Sequence, residues 1–185
     1  MKRFLIVSFL MSSLLSPCEA QTKMRDVFLQ MPDSLLPYLT ANNRLDFIDF
    51  LDSGMKAGVA NELGGKSEML TLTDTTLTLQ ASAAKLVQMQ LMPVSNPVDS
   101  CNQVVCVITT YGKDAPESRI AAYSVRWRKI DVASHLTLPQ QPYVASFAPL
   151  PQMAVCLKQS TALDPIANET QKKDVPWLKN IEWKP

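Results

Sequence analysis

The 185-residue chain carries 18 Lys and Arg against 17 Asp and Glu, a net charge of +1, with one histidine, five glycines and four cysteines. A balance this even supplies no field for nucleic acid or an anionic membrane. A lone histidine excludes multi-histidine metal sites, and five glycines are few for loops that approach a substrate closely.

The first element is a leader. Lys2 and Arg3 precede an apolar run from Phe4 to Leu15, and Cys18-Glu19-Ala20 then forms a small-x-small triplet before Gln21. This pattern predicts a secretory signal peptide over residues 1–20, cleaved between Ala20 and Gln21. Lipid attachment at Cys18 is the rival reading, weakened by Pro17 where a small flexible residue is usual. No later stretch is apolar for long enough to span a bilayer, so residues 21–185 are expected as one exported domain. Positive and negative side chains are equal in number over that span.

Met24, Val27, Phe28 and Met31 share one helical face, and Pro32 closes the segment. Leu35, Leu36 and Leu39 make a further apolar turn. Asn43 with Asp46 resembles a capping box, and Leu45, Ile48, Leu51 and Met55 continue as an apolar stripe, so a second helix is predicted over 44–57. Gly64-Gly65-Lys66-Ser67 has the ending of a nucleotide-cradling loop. The motif requires a glycine at position 60, however, where Ala60 stands, so the stretch is read as a turn that ends the helix and starts a strand.

From Lys66 the period changes to two. Leu77-Leu79-Ala81 and Val87-Met89-Leu91 alternate with polar residues as half-buried strands do, whereas Gln103–Tyr111 is apolar on both parities and suits a central strand covered on both faces. Next, Ala121, Tyr123, Val125 and Trp127 fall on one strand face, with Ser124, Arg126 and Arg128 on the other. Ten of the 13 prolines follow residue 90, and residues 138–151, which hold four of them, read as a connector or edge excursion. Two closing strands, around Cys156 and around Ile181, flank a polar insert at 160–174. Together these elements predict an α+β fold, two N-terminal helices on one face of an antiparallel sheet of five or six strands.

"MRDVFLQMPDSLLPYLTANNRLDFIDFLDSGMKA" followed by "GGKSEM", and later "APESRIAAYSVRW", resemble a Bacteroides-type family of exported proteins catalogued as a domain of unknown function. The resemblance covers most of the chain after the leader. It implies export and a single domain, and it brings no catalytic residue.

Three constellations carry chemistry. Asp46, Asp49 and Asp52 share a flank of the second helix, where they could bind a metal or work as acid and base, although the same spacing describes a solvated face with Lys56 as partner to Asp52. Ser134 beside His135 is adjacency in sequence and makes no triad. Arg126, Arg128 and Lys129 around Trp127 form a basic aromatic stretch whose parity separates the ring from the arginines, against nucleic-acid binding. Cys106 and Cys156 are expected as buried thiols. No cofactor is called for. The sequence favours an exported non-catalytic cell-envelope module that binds a partner protein, a glycan or an apolar ligand, and the alternative is a hydrolase using Asp46, Asp49 and Asp52 or Asp74.

Overall fold

The computed structural model describes residues 22–160 and 177–185, with backbone alone at 177–179. The expected signal peptide, its cleavage at Ala20 and Gln21, Cys18 and most of the polar insert lie outside these residues.

Helix α1 spans Met24–Leu29 and is followed by a 3-10 turn at Asp33–Leu35. Helix α2 runs Ala41–Asp52, both earlier and shorter than the sequence predicted. Its cap is Thr40, whose hydroxyl accepts from the Asn43 N–H at 3.2 Å while Asn43 Oδ1 accepts from the Thr40 N–H at 3.0 Å. The reciprocal box therefore sits three residues upstream of the expected pair Asn43 and Asp46. The buried face also differs from the predicted stripe. Arg44, Phe47 and Ile48 turn inward, and Leu45 and Met55 are exposed.

Strands β1 (Gly58–Ala60), β2 (Lys66–Leu72), β3 (Thr76–Ser82), β4 (Lys85–Val98), β5 (Cys101–Tyr111), β6 (Glu117–Ser124) and β7 (Lys129–Ile130) form one antiparallel sheet in chain order. A second antiparallel sheet has the order β10-β9-β8, from Trp177–Glu182, Ala154–Gln159 and Tyr143–Phe147. The coarse expectation of an α+β fold with a large antiparallel sheet holds. The strand count does not: the large sheet has seven strands, and the two closing segments leave it to build a second sheet with β8, an edge strand inside the stretch read as a connector or edge excursion.

Parity along β5 explains the second sheet. Val105 and Val107 join a buried cluster with Met24, Val27, Phe28 and Phe47 of the helices, whereas Val104, Cys106 and Ile108 join another with Ala145, Val155, Leu157 and Ile181. A strand apolar on both faces needs cover on both. Cys106 is fully buried there, and desolvation pushes its thiol up to about 12, so it behaves as an inert small hydrophobe. Cys156 corrects the expectation of burial. Val155 and Leu157 point into the core, so alternation turns Cys156 toward the half-exposed face.

Gly64 and Gly65 close the hairpin loop between β1 and β2, Lys66 and Ser67 already open β2, and α2 has ended at Asp52. Asn61 organises it: its Oδ1 accepts from the N–H groups of Leu63 and Gly65, both at 3.1 Å, and its Nδ2 donates to Ser67 Oγ at 3.0 Å. Gly64 supplies the positive φ of 75°. The loop amides thus converge on a side chain of the protein itself, where a phosphate-binding loop would hold them open.

Strand β6 ends at Ser124, which corrects the reading of one continuous strand to Trp127. Ser124 Oγ accepts from the N–H groups of Arg126 at 3.3 Å and Arg128 at 3.2 Å, turning the chain back into β7. Trp127 stands in this turn with φ of 64°, a left-handed conformation costly for a bulky side chain. Its indole N–H donates to the Val27 carbonyl at 2.8 Å, and its ring lies 5.6 Å from that of Tyr123. Arg128 pairs with Asp99 at 2.7 Å, so the basic stretch is divided among separate tasks.

Candidate functional site

Cross-strand register builds a graded surface on the face of the large sheet that carries Val87, Val107 and Tyr123. Leu91, Val105 and Tyr123 form one row; Met89, Val107 and Ala121 the next; then Val87, Thr109 and Arg119; and last Lys85, Tyr111 and Glu117. Side chains of α1 and α2 join Met89, Leu91, Val105 and Val107 in one buried cluster, whereas Thr109, Tyr111 and Arg119 remain partly or fully exposed. Between that outer part of the sheet and the α1–α2 connection lies an open cleft of about 570 Å³. Volumes of roughly 300–1,000 Å³ suit small ligands.

The cleft has an apolar base and a polar mouth. Val87, Val107 and Ala121 line it from the sheet, Leu35 and Leu36 from the opposite wall, and Trp127 is also part of the lining. Lys85, Arg119, Lys129 and Asp131 bring charge to it. A shallower depression lined by Tyr111, Glu117 and Arg119 adjoins through two shared residues.

Lys85 opens β4 and is half-buried. Its Nζ lies 5.2 Å from the Tyr38 ring centroid and 5.6 Å from that of Tyr111, within cation–π range. Burial pushes the ammonium below the ordinary lysine range and raises the Tyr38 and Tyr123 phenols. Among the described residues, no ion pair is made by Lys85, Arg119 or Lys129.

None of the acidic residues singled out in the sequence lines this cleft. Asp46 and Asp49 are exposed on α2. Asp52 receives both guanidinium nitrogens of Arg25, from Nη1 at 3.0 Å and from Nη2, and this hydrogen bonding holds its carboxyl below the ordinary range. Asp74 is exposed and pairs with Lys23 at 3.5 Å. Among the described residues, no group of three or more His, Cys, Asp or Glu is placed to hold a metal ion.

His135 stacks on Trp183, with centroids 4.4 Å apart and planes inclined by 6°, while Nδ1 lies 2.7 Å from the Lys184 carbonyl. Since a carbonyl only accepts, Nδ1 carries the proton in this contact. Ser134 Oγ donates to the Asp131 carbonyl at 2.6 Å. Neither residue is arranged as nucleophile and base. No described helix is long and apolar enough to cross a membrane.

The model for the family described as "Protein of unknown function (DUF3256)" matches residues 17–178. The chain belongs to this family. A solved structure, a domain of an uncharacterized protein from Porphyromonas gingivalis W83, is similar to this DUF3256 protein with a TM-score of 0.63 at 21% identity, over 80% of this chain and 85% of that one. At this identity the likeness speaks to fold. Comparison with curated proteins gives no match.

The cleft was illegible in the sequence because its lining comes from the α1–α2 connection and four strands, whose rows exist only once register is set. Only the alternation Arg119, Ala121, Tyr123 hinted at it, a charge entering an otherwise apolar parity.

Proposed function

We propose that this DUF3256 protein is an exported, non-catalytic binding module of the cell envelope, and that its ligand occupies the cleft between the α1–α2 connection and the outer strands of the large sheet. Among a partner protein, a glycan and an apolar ligand, the last is favoured by a single observation: an apolar base of Val87, Val107, Ala121, Leu35 and Leu36 beneath an open mouth. A concave site with a mainly buried apolar floor and a few polar groups at its mouth is the usual form of a small-ligand site.

The neutral dye Nile red tests the reading. Its fluorescence should rise saturably with wild-type protein and fall to background in Ala121→Trp, which fills the cleft from the sheet, and in Ser34→Trp, which fills it from the opposite wall. A dye signal untouched by either substitution, with both variants folded by circular dichroism, overturns the assignment.

The acidic flank supplies a separate test. Replacing Asp46, Asp49 and Asp52 together with Asn removes charge from exposed positions and the surface pair of Asp52 with Arg25 without uncovering apolar surface, so melting temperature should be unchanged or slightly lowered and dye binding retained. Mutual repulsion within an active site predicts a gain in stability on neutralisation. A melting temperature raised by several degrees, joined to divalent-metal stabilisation of the parent alone, would favour the hydrolase.

A further inference from the structure

We infer that the ligand of this cleft is a small amphipathic anion, an apolar body carrying one carboxylate or similar acid, seated with its acid group at Lys85 and Arg119. The inference rests on the binding role proposed above and specifies its chemistry.

Charge at the cleft is not balanced where it is least solvated. Arg119 and Lys129 are exposed, and Glu117 and Asp131 stand in the adjoining depression and the lining as potential counter-charges. Lys85 differs from both. It is half-buried, makes no ion pair among the described residues, and has two tyrosine rings as its only described charge-stabilising neighbours. Taking an ammonium partly out of water is costly unless an anion or strong acceptors replace the lost hydration. An aromatic face offsets part of that cost while forming no hydrogen bond, which leaves the ammonium protons free to donate to an incoming acid.

The neighbouring register supports a defined pose. Lys85 and Tyr111 are cross-strand partners in the outermost row, and Arg119 lies one row inward, opposite Thr109. An acid group at this mouth would meet a point charge from Lys85 and the planar fork of Arg119. Its apolar part would extend inward over Val87, Val107 and Ala121. A cationic ligand would face uncompensated Lys85, and a neutral one would leave it unpaired while excluding water from it.

Three ligands with one ring system and different heads separate these cases: 2-naphthoate, 2-naphthamide and 2-naphthylmethylammonium, titrated at neutral pH into the isotopically labelled protein and followed by NMR. Since hydrogen bonds between charged groups are stronger than neutral ones, naphthoate should bind about tenfold or more tightly than the amide, and the ammonium compound most weakly. Lys85→Gln with Arg119→Gln should reduce naphthoate to the affinity of the amide. The exposed single change Arg119→Gln should remove part of the preference, and it serves if the double variant unfolds. Equal affinity for acid and amide, persistence of the preference in the variants, or failure of naphthoate to bind while Nile red still reports the cleft would overturn the anion assignment and leave the binding role standing. Loss of cleft-dependent Nile red binding would overturn both.

Discussion

Trp127→Ala should unfold in urea with about 3–5 kcal/mol less stability than the parent, the usual cost of deleting a buried indole. Three contributions are lost together. The ring belongs to the buried cluster that joins the helices to the large sheet, it lies against Tyr123, and its N–H ties α1 to the β6–β7 turn. The hydrogen bond matters because of where it ends. Helix α1 has only six residues, and the Met31 N–H is taken by the Phe28 carbonyl, so the Val27 carbonyl has no donor of its own helix and depends on the indole.

Backbone conformation adds a second expected result. At φ of 64°, alanine keeps the steric cost of a Cβ in the left-handed region and loses the ring that sustains it. Trp127→Gly should therefore be more stable than Trp127→Ala by about 1 kcal/mol, the reverse of the usual order in regular elements. Trp127→Phe keeps most of the burial and leaves the Val27 carbonyl unpaired, for an intermediate loss of about 1–3 kcal/mol. An alanine variant as stable as the glycine one would show that the turn is unstrained. Because Trp127 also lines the cleft, all three variants should weaken Nile red binding.

Residues whose role depends on period alone were legible in the sequence. The alternations at Leu77–Ala81 and Val87–Leu91, the doubly apolar run through Cys106, and the amphipathic first helix each correspond to an element of the fold. Residues whose role depends on a turn were not. Nothing in the run from Tyr123 to Lys129 marks Ser124 as its break, because serine is compatible with a strand and the decisive contacts are two backbone N–H groups reaching its hydroxyl from beyond the turn. The second sheet was hidden by prolines at both ends of β8. Pro139, Pro142, Pro149 and Pro151 flank Tyr143–Phe147 without entering it, as an edge strand permits. Lys85 offered only a charge at a strand end, an ordinary solvated position until Tyr38 and Tyr111 are placed around it.

Helix α2 buries a face other than the predicted stripe, and it yields the remaining large effect. If the predicted stripe of Leu45, Ile48, Leu51 and Met55 faced inward, Leu45→Ala would cost about 2–5 kcal/mol. With Thr40 as the cap, the buried positions are Arg44, Phe47 and Ile48, and Leu45 is 49% exposed. An arginine occupies the apolar face because its head group is used. One terminal nitrogen donates to the Leu39 carbonyl at 3.1 Å, just before the cap, and the other reaches Asp33 at 2.8 Å in the preceding 3-10 turn, so Arg44 fastens the α1–α2 connection that forms one wall of the cleft. Arg44→Ala removes both contacts and the buried stem, an expected loss of about 2–4 kcal/mol, whereas Leu45→Ala should stay within about 0.5 kcal/mol. Arg44→Met separates the two parts of the effect. It restores the stem without the charge, and since Asp33 is largely solvated and can be rehydrated, it should cost less than about 1.5 kcal/mol in stability. Nile red binding should nevertheless weaken in Arg44→Met, because the wall carrying Leu35 and Leu36 loses its tie to the helix. Urea unfolding of the three variants gives the order directly, and a Leu45→Ala protein less stable than Arg44→Ala would show that the apolar stripe, not the face carrying Arg44, is the buried one.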